Sequence, residues 1–381
     1  MNHNSEKFTF LMSIFEQVTL KINQRFTSAL KPQVNALTLQ RRRQYIAWGA
    51  KRTLGETPQL KGKAMVRDVA LVTPSHRNDI ERFALLCDSI DRQVTNYEKH
   101  YVIVNDDDVP LFARFISDRR IVVPCSQLLP RWLKLIPSVL RKGRRVWWSF
   151  LTKPVHGWHI QQILKIAAVL RAPEQRFCLI DSDNVFIRTL DVKNYAGGEK
   201  APLYVERAAI SAEAPLHATW TRNCNRLLGR EEPAMFPADD YVGNLIVWDK
   251  TAVQDMTLAI EGVTNKAWAH ALCRTRDFSE YLLYGHFVRN SPRHLAHHEI
   301  ITESLANAYW GYVPLDSRAL TAMVNNMPES KVALCIESFS RTPVSIIRDA
   351  VGLRRRPVEA AQSSYSLSGS ARQLGSRLHE G

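Results

Sequence analysis

Residues 177–183 read Phe-Cys-Leu-Ile-Asp-Ser-Asp, four apolar residues followed by two carboxylates that flank a serine. A short continuous apolar run is typical of a strand that is buried on both faces. We therefore expect a buried strand over 177–180, with Asp181 at its carboxyl end. Residues 185–187, Val-Phe-Ile, place the carboxylates between two apolar runs, where an unpaired charge is costly. The pattern favours a bound cation over the simpler alternative, a turn or a helix cap.

The segments around this strand alternate between strand and helix patterns. Residues 158–171 place their apolar side chains on one stripe of a helix, which Pro173 ends. Short apolar runs predict further strands, and the segments between them predict helices. The strands are expected at 69–72, 101–104, 121–123, 203–205 and 244–248, and the helices at 78–91 and 109–117. This alternation predicts an α/β fold with a mostly parallel sheet and helices on both faces.

Polar residues follow three of the predicted strands at their carboxyl ends, namely Thr73, Asp106 and Asp181. Ligands bind beyond these strand ends in open α/β sheets. Asp181 and Asp183 offer hard oxygen ligands, which suit Mg²⁺ or Mn²⁺, and these ions also bind diphosphates. The sequence therefore predicts a metal and a phosphorylated ligand at one edge of the sheet.

The composition, 45% hydrophobic and 23% charged over 381 residues, is that of a globular protein. We expect an amphipathic helix and a basic connector over 1–66, a main domain over 67–330 and an extension over 331–381. The Ser-, Gly- and Arg-rich part from about 352 is expected to be disordered. The six cysteines form no CxxC pair and are expected to be reduced thiols. Neither a membrane-spanning run nor a signal-peptide pattern is present in the sequence, so we expect a cytoplasmic location.

The net charge of +14 is concentrated in clusters, which attract polyanions such as nucleic acid, anionic lipid or phosphorylated substrates. One cluster, over 131–153, has seven Lys and Arg residues, no acidic residue, and Trp132, Trp147 and Trp148 among them. Three interpretations stay open for this segment. It could be a helical hairpin packed on the core, a contact with an anionic membrane surface, or a clamp for single-stranded nucleic acid. Because the chain has no recognised nucleic-acid motif, nucleic acid is the least favoured partner.

One combination of motifs resembles a known family. Residues 157–166 read Gly-Trp-His-Ile-Gln-Gln-Ile-Leu-Lys-Ile and precede the Asp-Ser-Asp motif. This is similar to bacterial GT-A-type glycosyltransferases of the DUF6492 kind, which share Gly-Trp-x-x-Gln-Gln-x-x-Lys-Leu before an Asp-x-Asp; here Ile166 replaces the leucine. The Val-Thr-Pro at 72–74 and the segment 277–285 also match. The resemblance covers roughly 68–300.

The resemblance implies a GT-A fold of the nucleotide-diphospho-sugar transferase type, a Rossmann-like mixed sheet flanked by helices. It implies that Asp181 and Asp183 hold Mn²⁺ or Mg²⁺ on a nucleoside diphosphate sugar, such as a UDP-sugar. By position, the residues that would contact the base and ribose are Thr73, Pro74 and either Asp106 or Asp107. Gln161, Gln162 and Lys165 carry two amides and an ammonium within about one helical turn, which suits hydroxyl and phosphate recognition. Alternatively, these three residues form a polar face of the helix that is exposed to solvent.

A late histidine often completes the metal shell in GT-A enzymes. We favour His286, because it follows the Ser-Glu-Tyr segment directly; His294, His297 and His298 remain alternatives. Each of these histidines could equally be a surface or capping residue.

The catalytic base has two candidates. Glu280 lies among aromatic residues, and apolar surroundings raise the pKa of a carboxyl toward the range useful for proton abstraction. Asp239 and Asp240, before the predicted strand at 244–248, are the rival pair. A retaining mechanism without such a base is the third possibility.

We thus expect a metal-dependent glycosyltransferase, peripheral on the inner face of the cell membrane, that acts on a glycan or lipid-linked acceptor in polysaccharide or glycolipid assembly. The alternative is a non-catalytic protein that binds sugar nucleotides or polyanions with the same fold.

Overall fold

The computed structural model of the protein describes residues 67–137, 145–230 and 235–353. The predicted amphipathic helix and basic connector of 1–66 lie outside the described residues, as does the tail after 353 that was expected to be disordered.

The described residues form strands that are numbered here in chain order. The strands are β1 (Val69–Pro74), β2 (Val94–Thr95), β3 (His100–Val104), β4 (Arg120–Pro124), β5 (Lys134–Pro137), β6 (Arg145–Trp148), β7 (Arg176–Leu179), β8 (Asn184–Phe186), β9 (Leu190–Asp191), β10 (Ala201–Tyr204), β11 (Glu206–Ile210), β12 (Ala238–Asp240), β13 (Ile246–Asp249), β14 (His298–Ile301), β15 (Ala306–Tyr309) and β16 (Ala333–Ile336).

The α-helices connect these strands and are numbered in the same way. The helices are α1 (Ile80–Gln93), α2 (Val109–Phe112), α3 (Cys125–Leu128), α4 (Gly157–Arg171), α5 (Val192–Ala196), α6 (Pro215–Leu227), α7 (Lys250–Thr264), α8 (Trp268–Arg274), α9 (Glu280–Arg289), α10 (Pro292–Ala296), α11 (Ser317–Asn325) and α12 (Val344–Ala350).

The central sheet has five strands in the order β13–β7–β1–β3–β4. The pairs among β7, β1, β3 and β4 are parallel, whereas β13 is antiparallel to β7. The prediction of an α/β fold with a mostly parallel sheet is therefore confirmed. Because β7, β1 and β3 are neighbours, their carboxyl ends lie at one edge, as the sequence indicated.

Alternate residues of β1 build the two halves of the core. Ala70 and Val72 pack into a cluster that includes α4, α7 and α9. Val69 and Leu71 point to the opposite face and pack with α1. This period of two is the geometry of a pleated strand, and burial on both faces explains why β1 and β7 are continuous apolar runs.

A second sheet, in the order β15–β16–β8, continues from the central one. The chain passes from β7 through the Asp-Ser-Asp turn directly into β8, which pairs antiparallel with β16. Strand β16 is the middle strand of this sheet and is fully buried. Residues 331–353, which the sequence assigned to a C-terminal extension, supply this middle strand and the helix α12.

The basic, tryptophan-containing segment forms a β-hairpin rather than the helical hairpin considered from sequence. Strands β5 and β6 pair antiparallel, and the tip, 138–144, lies outside the described residues. Trp147 is buried in the core, whereas Phe150 is 61% exposed. Two short apolar runs are compatible with either structure, and packing on neighbours decides between them. Within the described residues, no helix has the length and apolar character needed to cross a bilayer.

Gly285 on α9 allows a close approach that the fold requires. A Cβ at this position would lie 2.1 Å from Cγ of Tyr241, so the ring or the helix would have to move. We expect Gly285→Ala to lower the free energy of unfolding by about 1–3 kcal/mol, measured by urea denaturation. Gly262→Ala is the matched helical control, because a Cβ there meets nothing within 4 Å. It should raise that free energy by about 0.5–1 kcal/mol; equal effects of the two variants would contradict the packing argument.

Candidate functional site

The Asp-Ser-Asp motif forms the tight turn between β7 and β8. The carbonyl oxygen of Asp181 accepts hydrogen bonds from the backbone N–H and the side-chain amide of Asn184, at 3.2 and 3.0 Å. The side chain of Asp183 accepts a hydrogen bond from the backbone N–H of Ser338 at 2.8 Å. The hydroxyls of Ser182 and Ser75 lie 3.0 Å apart and join this turn to the end of β1. The motif is thus a turn, and its two carboxylates are held in place by separate parts of the chain.

Lys165 is the centre of a buried polar cluster beneath this turn. Its Nζ lies 3.0 Å from Oδ1 of Asp181 and 3.0 Å from Oε1 of Glu280. It also donates a hydrogen bond to the hydroxyl of Tyr281 at 2.8 Å. Burial lowers the pKa of Lys165, but Asp181 and Glu280 outweigh burial and hold that pKa well above its ordinary value. Lys165 therefore stays charged and orients Asp181.

The N-terminus of α9 supplies the other side of this cluster. The hydroxyl of Ser279 caps the helix by accepting from the N–H of Leu282 at 3.5 Å. The side-chain oxygen of Gln162 accepts from the N–H of Glu280 at 3.1 Å. Burial raises the pKa of Glu280, and Lys165 opposes this shift. Since Glu280 is only 3% exposed and faces the lysine, its position favours a role in holding Lys165 over the role of base expected from sequence.

A third carboxyl, which the sequence analysis missed, lies beside Asp183. Glu337 follows β16, accepts a hydrogen bond from Sγ of Cys335 at 3.4 Å, and interacts electrostatically with Asp183. Burial, followed by the charge of Asp183, raises the pKa of Glu337 to about 8, and burial raises the pKa of Asp183 to about 6. The available signal was that Glu337 follows an apolar run, 333–336, just as Asp181 follows 177–180.

The raised pKa of Glu337 predicts a pH dependence of stability. Between the ordinary value of 4.5 and about 8, the folded state binds more protons at this carboxyl than the unfolded state. Raising the pH through this window therefore removes stability. We expect the free energy of unfolding of the wild type, measured with urea in EDTA, to fall relative to that of Glu337→Gln as the pH rises from 4.5 to 8. A difference between the two proteins that stays constant with pH would contradict this assignment.

Some of the residues expected to contact the nucleotide are buried, and the others are accessible to a ligand. Thr73 is buried, and its hydroxyl lies 2.9 Å from Nε2 of His100. Pro74 is also buried, at the end of β1. These two side chains belong to the core, because the last residues of β1 are covered on both faces. The predicted nucleotide contact of these two residues stays a prediction.

The acidic end of β3 is accessible but already paired. Asp106 accepts hydrogen bonds from the N–H and hydroxyl of Ser126. Asp107, which is 61% exposed, forms an ion pair with Arg145 at 2.5 Å. Gln161 is half-buried on α4, whereas the side chain of Gln162 on the same helix is hydrogen-bonded to the backbone of α9. Of the predicted nucleotide contacts, Asp106, Asp107 and Gln161 therefore remain accessible to a ligand.

His286 does not join the Asp pair. Its ring makes an edge contact with Tyr241 at 5.4 Å between centroids, and burial lowers its pKa to about 4. In the described parts of the chain, no group of three or more His, Cys, Asp and Glu side chains is placed to hold a metal ion. The alternatives His294 and His298 bind Asp255 and Tyr284, respectively. The predicted three-residue ligand set is therefore not assembled.

The rival base candidates lie on β12. Asp239 forms an ion pair with Arg207 at 3.0 Å and accepts from the N–H of Ala208. Asp240 accepts a hydrogen bond from Nδ1 of His217 at 2.9 Å. Asp240 raises the pKa of His217 through this bond. His217, which no sequence pattern singled out, is partly exposed on α6 and forms with Asp240 a pair that can transfer a proton.

Fold and site together define an α/β protein with a cluster of carboxylates and a buried lysine at the carboxyl edge of its central sheet. The chain belongs to a family of unknown function, DUF6492, whose model matches residues 65–343. No curated protein matches the chain at a significant level.

Proposed function

We propose that this chain transfers a sugar from a nucleoside diphosphate sugar, with UDP-sugars as the donor class, to an acceptor hydroxyl. The observation that carries the proposal is the pair Asp181 and Asp183 in the turn at the carboxyl edge of the central sheet, with Lys165 against Asp181. This edge is where α/β sheets bind phosphorylated ligands. The assignment to the GT-A class is part of the same proposal.

Asp181 and Asp183 are the residues that would hold Mn²⁺ or Mg²⁺. Their oxygen donors suit these ions, and the side chain of Asp181 is 42% exposed and so within reach. The charge of Asp183 contributes to the raised pKa of Glu337, and a divalent cation would stabilise the ionised forms of both carboxyls. When bound, the ion would neutralise the charge that develops on the departing diphosphate.

The remaining residues orient the site and take up a proton. Lys165 fixes the carboxylate of Asp181, while Glu280 and Gln162 fix Lys165 and α9. The acceptor oxygen forms a bond to the anomeric carbon, the bond from that carbon to the diphosphate oxygen breaks, and the acceptor proton must leave. We assign this proton to His217, supported by Asp240, because Glu280 is buried under Lys165 and Asp239 is held by Arg207.

The proposal extends to the acceptor and its location. We place the reaction in the cytoplasm, on a glycan or lipid-linked acceptor of the cell envelope. Exposed Phe150 and Leu151 lie beside Trp148 at the end of β6, within the segment 131–153 that carries seven Lys and Arg residues, and this combination suits peripheral contact with an anionic membrane surface.

The test is release of UDP from a panel of UDP-sugars by the purified chain, with and without an acceptor. We expect release that requires Mn²⁺ or Mg²⁺ and stops with EDTA. UDP binding in calorimetry without turnover on any donor would favour the alternative, a non-catalytic sugar-nucleotide-binding protein.

A further inference from the structure

Three aromatic rings form a stack on the side of the site formed by α4 and α6. Trp158 stacks on Trp220 with centroids 5.2 Å apart and planes at 29°, and Trp220 packs on His217 at 4.6 Å and 33°. Trp220 is 8% exposed, whereas Trp158 is 52% exposed. The outer ring therefore presents aromatic surface to solvent while the inner ring holds it in place. A large exposed aromatic surface on a rigid support is typical of a binding site.

The stack is connected to the proposed donor site by two helices. Trp158 lies seven residues before Lys165 on α4, and His217 lies seven residues before Cys224 on α6. Lys165 contacts Glu280, and Cys224 contacts the carbonyl oxygen of Ser279 at 3.5 Å. Residues seven apart share a helix face and are separated by roughly 10 Å along the axis. The aromatic stack thus lies about two helical turns from Lys165, within the reach of a short saccharide.

The charges around the stack select against anionic ligands. Glu206 stands opposite Asp240 in the β11–β12 pair, and both carboxylates act on His217. Asp239 and Arg207 neutralise each other. Two carboxylates beside one imidazole disfavour the binding of a nucleotide or a phospholipid headgroup. They can accept hydrogen bonds from the hydroxyls of a neutral ligand. The stack also has an unused donor, since the buried indole N–H of Trp220 has no acceptor in the described parts of the chain.

We infer that Trp158 is the stacking face of a subsite for a neutral saccharide, the acceptor of the transfer; the assignment as acceptor rests on the proposed function. The C–H bonds on one side of a pyranose ring form an apolar face that packs flat on an aromatic ring. The hydroxyls around the sugar ring remain free to bond to polar groups at the edge of the stack. Trp158 supplies the flat surface, and His217 and Asp240 lie at the opposite end of the stack, beyond Trp220.

The test measures saccharide binding without nucleotide or metal. Cellotriose, maltotriose, mannotriose and triacetylchitotriose are titrated against the full chain, and binding is followed by tryptophan fluorescence and saturation-transfer NMR. We expect at least one trisaccharide to bind, Trp158→Ala to weaken that binding at least tenfold, and Trp158→Phe to retain most of it. Leu258→Ala, which removes an exposed apolar side chain on α7, is the control and should bind like the wild type.

The outcomes separate this inference from the proposed function. Failure of all four trisaccharides to bind, or equal binding by wild type and Trp158→Ala, would overturn the saccharide subsite. If a trisaccharide binds as expected but no UDP-sugar is turned over, the subsite stands and the transferase proposal fails. If both stand, Trp158→Ala should also lower the ratio of sugar transfer to water hydrolysis, because the acceptor no longer competes with water.

Discussion

Replacing Asp183 with asparagine is expected to reduce metal-dependent release of UDP on the order of 10³-fold, because an amide is a weaker ligand for a hard cation than a carboxylate. The same change should leave the free energy of unfolding unchanged or raise it. Burial raises the pKa of Asp183 to about 6, and the variant replaces this desolvated carboxylate by a neutral amide whose oxygen can still accept from the N–H of Ser338. Loss of activity without loss of stability would distinguish a functional carboxylate from a structural one.

The measurements are UDP release at saturating Mn²⁺ and urea denaturation of the same preparations. Asp118→Asn is a suitable control, because Asp118 is exposed and its backbone oxygen, which the substitution keeps, accepts from Lys99. The control should match the wild type in both assays. Retention of most of the turnover by Asp183→Asn would remove the metal role assigned to the Asp-Ser-Asp turn.

Replacing Lys165 with methionine is expected to lower the free energy of unfolding by about 3–5 kcal/mol, since it leaves the buried carboxylate of Glu280 without its partner. Activity should also be lost, because Asp181 loses the contact that orients it. The double variant Lys165→Met/Glu280→Gln removes both buried charges. It should recover a large part of the stability, as replacement of a whole buried pair by neutral groups is often tolerated.

The double variant separates the two roles of the lysine. Recovery of stability without recovery of turnover would assign Lys165 to the orientation of Asp181. A double variant that is no more stable than Lys165→Met would show that the charge pair is not the source of the loss. Thermal and urea unfolding of the three proteins, together with UDP release, provide the comparison.

The central sheet could be predicted from sequence because its strands are short, continuous apolar runs. Strands β1, β3, β4 and β7 were each expected within one or two residues of their observed bounds. Local hydrophobic pattern is sufficient where a strand is buried on both faces. Asp181 could likewise be placed at the sheet edge, because it directly follows the apolar run that predicts the strand.

The partners of these residues could not be predicted, because they are distant in the chain. Lys165 and Glu280 are 115 residues apart, and Asp183 and Ser338 are 155 apart. His286 was favoured for its proximity in sequence to Glu280, but it lies six residues further along α9. Residues six apart point in different directions on a helix, whereas those three, four or seven apart share a face. Sequence proximity was therefore misleading at this position.

The position of β16 makes the site dependent on the last part of the fold. Ser338 fixes Asp183, and Glu337 faces it, yet both follow a strand that inserts between β15 and β8 only after most of the chain has been synthesised. The central sheet and the buried lysine can form from residues up to about α9. Contacts of such long sequence separation form late and are slow to establish. A nascent or truncated chain would therefore carry Asp181 and Lys165 in place but not the completed acidic edge, so that assembly of this edge marks the end of folding.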